Sequence, residues 1–317
     1  MIIEQAFHNL PEILVGAGYG RQDYRQGFEA SIVAALSLAL LQELNGRNAQ
    51  NPISFLMAEK RYGEASDKLR ADLYVDLKRL LVGSAEYASF GFRFHNWVEA
   101  KYFRVTKGVP PNTQNLGSIV ADLIRLIALP PHEPPSKSTS TTTTGRYFLH
   151  VYRGDPLKKK LISDTREDRT KRDWVTKLLL PGSQKIDDLE LAKETKWPSF
   201  FKHVPDTLSS ATCGLQVTNY VIAPTHVPDV EGYIMILTRI DTATFKWNGH
   251  EISLRADREF AYSGPNGWTY DRFRKEFPET LKPKKARKVR AKKEPKPPTR
   301  KATAKKAAGK AVAKGGV

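Results

Sequence analysis

His95-Asn-Trp-Val-Glu-Ala-Lys-Tyr-Phe103 reads as a β-strand: Trp97, Val98, Tyr102 and Phe103 favour extended backbone, and no Gly or Pro interrupts them. Residues two apart on a strand project from one face, so Glu99 and Lys101 stand side by side with Trp97 and Phe103 flanking them. Alone, the pattern says little. Acid-x-Lys recurs at Asp76-Leu-Lys78, Glu194-Thr-Lys196 and Glu294-Pro-Lys296, and its ordinary meaning is a surface ion pair worth at most about 1 kcal/mol.

The neighbouring segments give it weight. Upstream, Arg70-Ala-Asp-Leu-Tyr-Val-Asp-Leu77 alternates Leu73, Val75 and Leu77 with Asp72, Tyr74 and Asp76, which predicts a second strand carrying its acids on one face. Before it, residues 53–62 read as a further strand, and residues 27–44 as a helix with Phe28, Ile32, Leu36 and Leu40 near helical spacing. Downstream, Leu116, Ile119, Val120, Leu123, Ile124 and Ile127 mark an amphipathic helix with Asn115 as its N-cap, and Arg146–Tyr152 reads as the next strand. The expected order is α-β-β-β-α-β, an α/β fold. Acids projecting from adjacent central strands repel unless a cation lies between them, and a hard divalent ion takes carboxylate and carbonyl oxygens.

That order, with an acid on the second strand and Glu-x-Lys on the third, resembles the PD-(D/E)XK nuclease superfamily, which includes many restriction and repair endonucleases. The resemblance covers residues 27 to about 152 and implies a restriction endonuclease-like αβββαβ core, its mixed central sheet extended by further strands. It implies that Asp72, Glu99 and the Ala100 backbone carbonyl hold Mg²⁺ or Mn²⁺, and that Lys101 positions the attacking water. It also implies a catalytic glutamate on the first helix, which Glu29 matches; a first-turn acid near a helix N-terminus is the ordinary alternative. Ala71 stands where a proline often precedes the first acid, and the connection from Leu80 to Phe94 is long. Asp76 shares a face with Asp72 about 13 Å along the strand and is the fallback ligand. The implied activity is metal-dependent hydrolysis of DNA phosphodiester bonds, of restriction, defence or repair type. The alternative is a non-catalytic DNA-associated protein on a nuclease-like scaffold.

Charge is distributed unevenly. Of the net charge of +17 over 317 residues, +14 lies in residues 282–317, a Lys/Ala/Pro-rich stretch without aromatic residues. Such a segment is too poor in apolar surface to offset its ordering entropy, so residues 278–317 are expected to be a disordered tail. It resembles linker-histone tails. Lys284, Lys285, Arg287, Lys288, Arg290, Lys292 and Lys293 are its candidate DNA contacts, acting on phosphates through counterion release without reading bases. Residues 1–277 are expected to form a single α/β domain with a Ser/Thr-rich surface loop at 130–145, since the following segments read as strands completing one sheet. Among them, residues 243–252 read as a hairpin turning at Asn248-Gly249.

Other chemistries find little support. One cysteine, Cys213, excludes a disulfide framework and reads as a buried inert thiol, and seven scattered histidines lack zinc-ligand spacing. The apolar stretch Ser31–Leu44 is short for a bilayer, and no signal peptide opens the chain, so a cytoplasmic, nucleoid-associated location without membrane partners is expected. Val15-Gly-Ala-Gly-Tyr-Gly lacks the Lys-Ser/Thr of a phosphate loop, and no small-molecule cofactor is expected. The bases between Lys158 and Arg172 are weighed equally as phosphate contacts and as a solvated loop, while Trp197, Phe200 and Phe201 could stack on bases but are read as core residues, as aromatics in a large domain mostly are. Many members of the superfamily dimerise to cut both strands, which leaves a homodimer open.

Overall fold

The computed structural model describes residues 2–16, 28–63, 69–78, 80, 93–104, 112–131, 144–166, 168–194, 200, 203–225, 232–255 and 260–281. In chain order these form α1 (Ile2–Gly16), α2 (Phe28–Gly46), β1 (Leu56–Arg61), β2 (Arg70–Asp76), β3 (His95–Phe103), α3 (Asn112–Ala128), β4 (Thr144–Arg153) and α4 (Asp173–Leu179). There follow β5 (Gly182–Glu190), the single turn α5 (Leu191–Glu194), β6 (Thr212–Ile222), β7 (Tyr233–Trp247), β8 (His250–Leu254), β9 (Phe260–Ser263) and α6 (Tyr270–Thr280). The fold is α/β, with a mixed, largely antiparallel sheet in the order β1-β2-β3-β4-β7-β6-β5, while β8 and β9 continue from β7. Among the described residues only β3 and β4 pair in parallel, and α3 makes the crossover between them that a parallel pair requires.

Two apolar layers enclose the sheet. On one face α1 and α2 pack against Leu73, Val75, Val98, Ala100, Leu149 and Val151. On the other, α3 packs with Trp97, Phe103, Phe148 and Tyr152. β4 is buried along nearly its whole length, as a strand covered on both faces must be, which explains why Tyr147-Phe-Leu-His-Val-Tyr152 is so apolar. Gly117 in α3 is required by close approach: a Cβ there would come within 2.5 Å of the Phe200 carbonyl oxygen.

Several expectations need correction. Residues 53–62 are not all strand: Pro52–Phe55 form a 3₁₀ turn before β1 starts at Leu56. α3 begins at Asn112, so Asn115 lies in its first turn and donates its Nδ2 to Leu161 O at 2.5 Å instead of capping the helix. β7 runs unbroken through residues expected to be separate strands, and Asn248 (φ 46°) with Gly249 (φ 78°) turns it into β8. α2 has 19 residues, long and apolar enough by length and composition to span a bilayer, but its Ile32, Ala35, Leu36, Ala39 and Leu40 are packed into the core. The Ser/Thr-rich residues 132–143 and most of the Leu80–Phe94 connection lie outside the described residues.

Candidate functional site

β2 and β3 are antiparallel with Leu73 opposite Val98 and Tyr74 opposite Trp97. Leu73 and Val98 face the α1–α2 layer, so the alternate residues Asp72 and Glu99 face the α3 layer together. The ladder ends at Leu73, and the Ala100 amide just beyond it donates to Asp72 Oδ2 at 2.6 Å. Asp76, the fallback, stands at the other end of β2, 3.9 Å from His95 Nδ1, away from this group.

Lys101 lies at the centre. Its Nζ donates to Glu29 Oε1 and to Ala100 O, both at 3.1 Å, and approaches Asp122 Oδ2 at 3.5 Å. Glu29 belongs to α2, which packs on the opposite face, yet its other oxygen accepts from the Tyr102 backbone N–H at 3.3 Å. The helix start therefore reaches the site at the end of the β2–β3 ladder. The structure thus brings together Asp72, Glu99, Lys101 and Glu29, with the Ala100 carbonyl.

Three further residues complete the group, and none had been singled out from the sequence. Asp122 of α3 is fully buried, and Arg125 of the same helix donates to its Oδ1 while lying 3.7 Å from Glu99 Oε1. Tyr62, one residue beyond β1, donates its hydroxyl to Glu99 Oε1 at 2.6 Å. Asp122 carried a readable signal: it is a carboxylate within the apolar stripe of α3, three residues before an arginine, at a spacing that makes helix neighbours. Tyr62 carried none.

The electrostatics follow from burial and crowding. Burial and the charges of Asp122 and Asp72 push the Glu99 carboxyl well above the ordinary glutamate range, against the opposing pull of Arg125 and the Tyr62 hydrogen bond. Burial likewise raises Asp122 and Glu29. Burial disfavours the Lys101 ammonium, but Asp122, Glu29, Asp72 and Glu99 together outweigh it and hold its pKa above the usual lysine value. Lys101 is a fixed cation here, able to donate hydrogen bonds and unsuited to removing a proton.

The donor set fits a hard divalent cation in its chemistry, being composed of oxygens. Four carboxylates against one ammonium and one guanidinium leave a formal excess of two negative charges when all are ionised, and the buried Asp122 Oδ2 meets the Lys101 ammonium at 3.5 Å. Glu29 and Asp122 meet Lys101, Glu99 and Asp122 meet Arg125, and Asp72 meets the Ala100 amide; among the described residues no group of three or more His, Cys, Asp or Glu is gathered as a metal site. Asp72, Glu99 and the Ala100 carbonyl are the residues that would hold the ion.

The remaining candidates are dispersed or internal. Lys284, Lys285, Arg287, Lys288, Arg290, Lys292 and Lys293 lie outside the described residues. Arg172 and Arg166, taken as possible phosphate contacts, both turn to the buried Glu194, at 2.8 and 3.4 Å. Phe200 is core, not a stacking platform, and Trp197 and Phe201 lie outside the described residues. Cys213 is buried, and burial pushes its thiol up to about 12, which leaves it protonated and inert. Comparison with known protein families, with curated proteins and with solved structures finds no match.

Proposed function

We propose that the chain is a metal-dependent endonuclease that hydrolyses DNA phosphodiester bonds on a restriction endonuclease-like core. One observation carries the reading: Asp72 and Glu99 share a face of neighbouring strands, with Asp72 bonded to the Ala100 amide and Lys101 beside them. The order α2-β1-β2-β3-α3-β4, with an antiparallel meander followed by a parallel β3/β4 pair, supports the same architecture. An acid-rich cluster meets a polyanion poorly unless a cation intervenes.

Mg²⁺ or Mn²⁺ bound there would supply charge neutralisation and a lowered pKa for its bound water. Asp72, Glu99 and the Ala100 carbonyl provide the oxygens that hold it. Lys101, kept cationic by its neighbours, donates a hydrogen bond to the attacking water or to a phosphoryl oxygen as negative charge develops. Glu29 and Asp122 aim that ammonium, and Arg125 and Tyr62 fix the Glu99 carboxylate. The tail at 282–317 would hold DNA nonspecifically and release it as salt rises.

Plasmid and single-stranded DNA incubated with Mg²⁺, with Mn²⁺ and with EDTA, beside Lys101→Ala, test the reading. Cleavage is expected only with metal, and to fall by roughly 10³-fold or more in the variant. Cleavage that survives EDTA, or is unaffected by Lys101→Ala, rejects the assigned site. A second reading rests on Lys101 and Arg125, which offset part of the acid charge from within: a DNA-associated protein that retains the scaffold without activity. Metal-independent DNA binding with no cleavage under any of these conditions is its signature. Removing residues 282–317 should weaken DNA binding under either reading, and leave metal-dependent cleavage in place under the first.

A further inference from the structure

Tyr62 joins the acid cluster to a second feature. Its hydroxyl holds Glu99, while its ring lies on Trp97 (centroids 5.0 Å apart, 15° between planes) at the side of a groove of about 680 Å³. That volume is in the range of pockets that take small organic ligands. Tyr74 and Trp97 also line the groove, with Lys60, Arg61 and Arg274. Arg274 is committed to the wall, since its guanidinium donates to Leu129 O and Tyr62 O. Lys60 and Arg61 lie on β1, an edge strand, with Lys60 Nζ 5.4 Å from the Tyr74 ring centre.

Two properties point to the occupant. The cations outnumber the one lining acid, Glu59, and Lys60 stands over the Tyr74 ring, a combination that holds a phosphate beside a stacked base. Trp97 is 2 % exposed and packs behind Tyr74 (centroids 4.8 Å apart), which leaves the partly buried Tyr74 ring as the aromatic face a base can meet.

We infer that this groove binds an unpaired nucleotide, its base against Tyr74 and its phosphate on Lys60 and Arg61, next to the strand at the acid cluster. The inference rests on the nuclease reading for what happens to that strand; binding in the groove is tested apart from cleavage. The unpaired nucleotide has two sources, a single strand or a base turned out of a duplex.

The experiment is photo-crosslinking of the full-length chain to oligonucleotides carrying one 5-iodouracil, with crosslinked peptides mapped by mass spectrometry. Three probes are used in EDTA: a single strand, a duplex with the iodouracil unpaired, and the same duplex fully paired. Crosslinks to the Tyr74 or Trp97 peptides are expected at least tenfold above the paired duplex, from the single strand, from the bulged duplex or from both. Lys60→Glu with Arg61→Glu, compared at equal folded fraction, should lower that yield by about tenfold, in the range that phosphate and stacking contacts allow. Crosslinks confined to residues 282–317, equal yields from paired DNA, or a yield unchanged by the double substitution overturn the inference. Metal-dependent cleavage without groove crosslinks removes the groove alone; groove crosslinks without cleavage remove the nuclease reading and leave the binding site.

Discussion

Two charged clusters flank the same sheet and are built on different arithmetic. Under α1, Arg239 pairs with Glu4 at 3.1 Å and with Asp241 at 2.7 Å, and Arg93 meets Asp241 at 3.3 Å. Two acids face two guanidiniums, and Tyr147 and Thr218 donate to the same carboxylates. Beneath α3, four acids face two cations. A balanced network pairs its charges within the chain and holds helix to sheet. An acid-rich one lowers stability unless something outside the chain completes it, and that excess is what the proposed metal site rests on.

The comparison can be broken at several points, the largest first. Arg239→Met should cost about 3 kcal/mol in urea unfolding, because Glu4 and Asp241 lose their shared partner in a largely buried place, while metal-dependent cleavage by the folded fraction persists. His150, next to Lys101 in the β3–β4 register, shows how the interior treats charge without compensation: burial pushes its pKa down to about 3. The unfolded chain binds a proton near pH 6.5 that the native state refuses. Stability is thus complete above that pH and falls on acidification toward pH 3, by about 1.4 kcal/mol per unit. Glu99, Asp122 and Glu29, raised by burial, oppose this trend, so the His150 share is read by difference: the loss of stability from pH 7.5 to pH 5 should be smaller by about 2 kcal/mol in His150→Gln than in the wild type.

Smaller effects sharpen the contrast. Glu99→Gln should raise the stability of the metal-free protein by about 1 kcal/mol while abolishing cleavage, since it removes a carboxylate that burial, Asp122 and Asp72 disfavour and can still accept from Tyr62. A loss of stability like that of Arg239→Met would make the two clusters equivalent. Glu59 sits in β1 with φ 53°, a left-handed backbone that side chains resist. Glu59→Gly should stabilise by about 0.5 kcal/mol, the relief of strain being partly offset by glycine's entropy in the unfolded chain.

Period-two alternation made β2 readable and its aromatic and branched residues β3, and with them the shared face of Asp72 and Glu99, because a strand covered by apolar layers advertises its polar exceptions. The start of α2 could be read for Glu29 but not for its reach to Lys101, which depends on the β2–β3 ladder ending at Leu73. α1 escaped notice although Ile3, Phe7, Leu10 and Leu14 lie on its buried side, because Pro11 interrupts its middle and proline normally ends a helix. Tyr62 and the groove beside it arise from long-range packing between β1, β3 and α6, which local pattern does not encode.

The central claim is that the excess acid beneath α3 is completed by a divalent cation. Titration of the metal-free, full-length chain with Mn²⁺, following the free ion by electron paramagnetic resonance, addresses it without reference to any substrate. One or two ions bound per chain, displaced by Mg²⁺ and lost in Asp72→Asn, is the predicted result. Identical binding curves for the wild type and Asp72→Asn, or no binding by either, would contradict it.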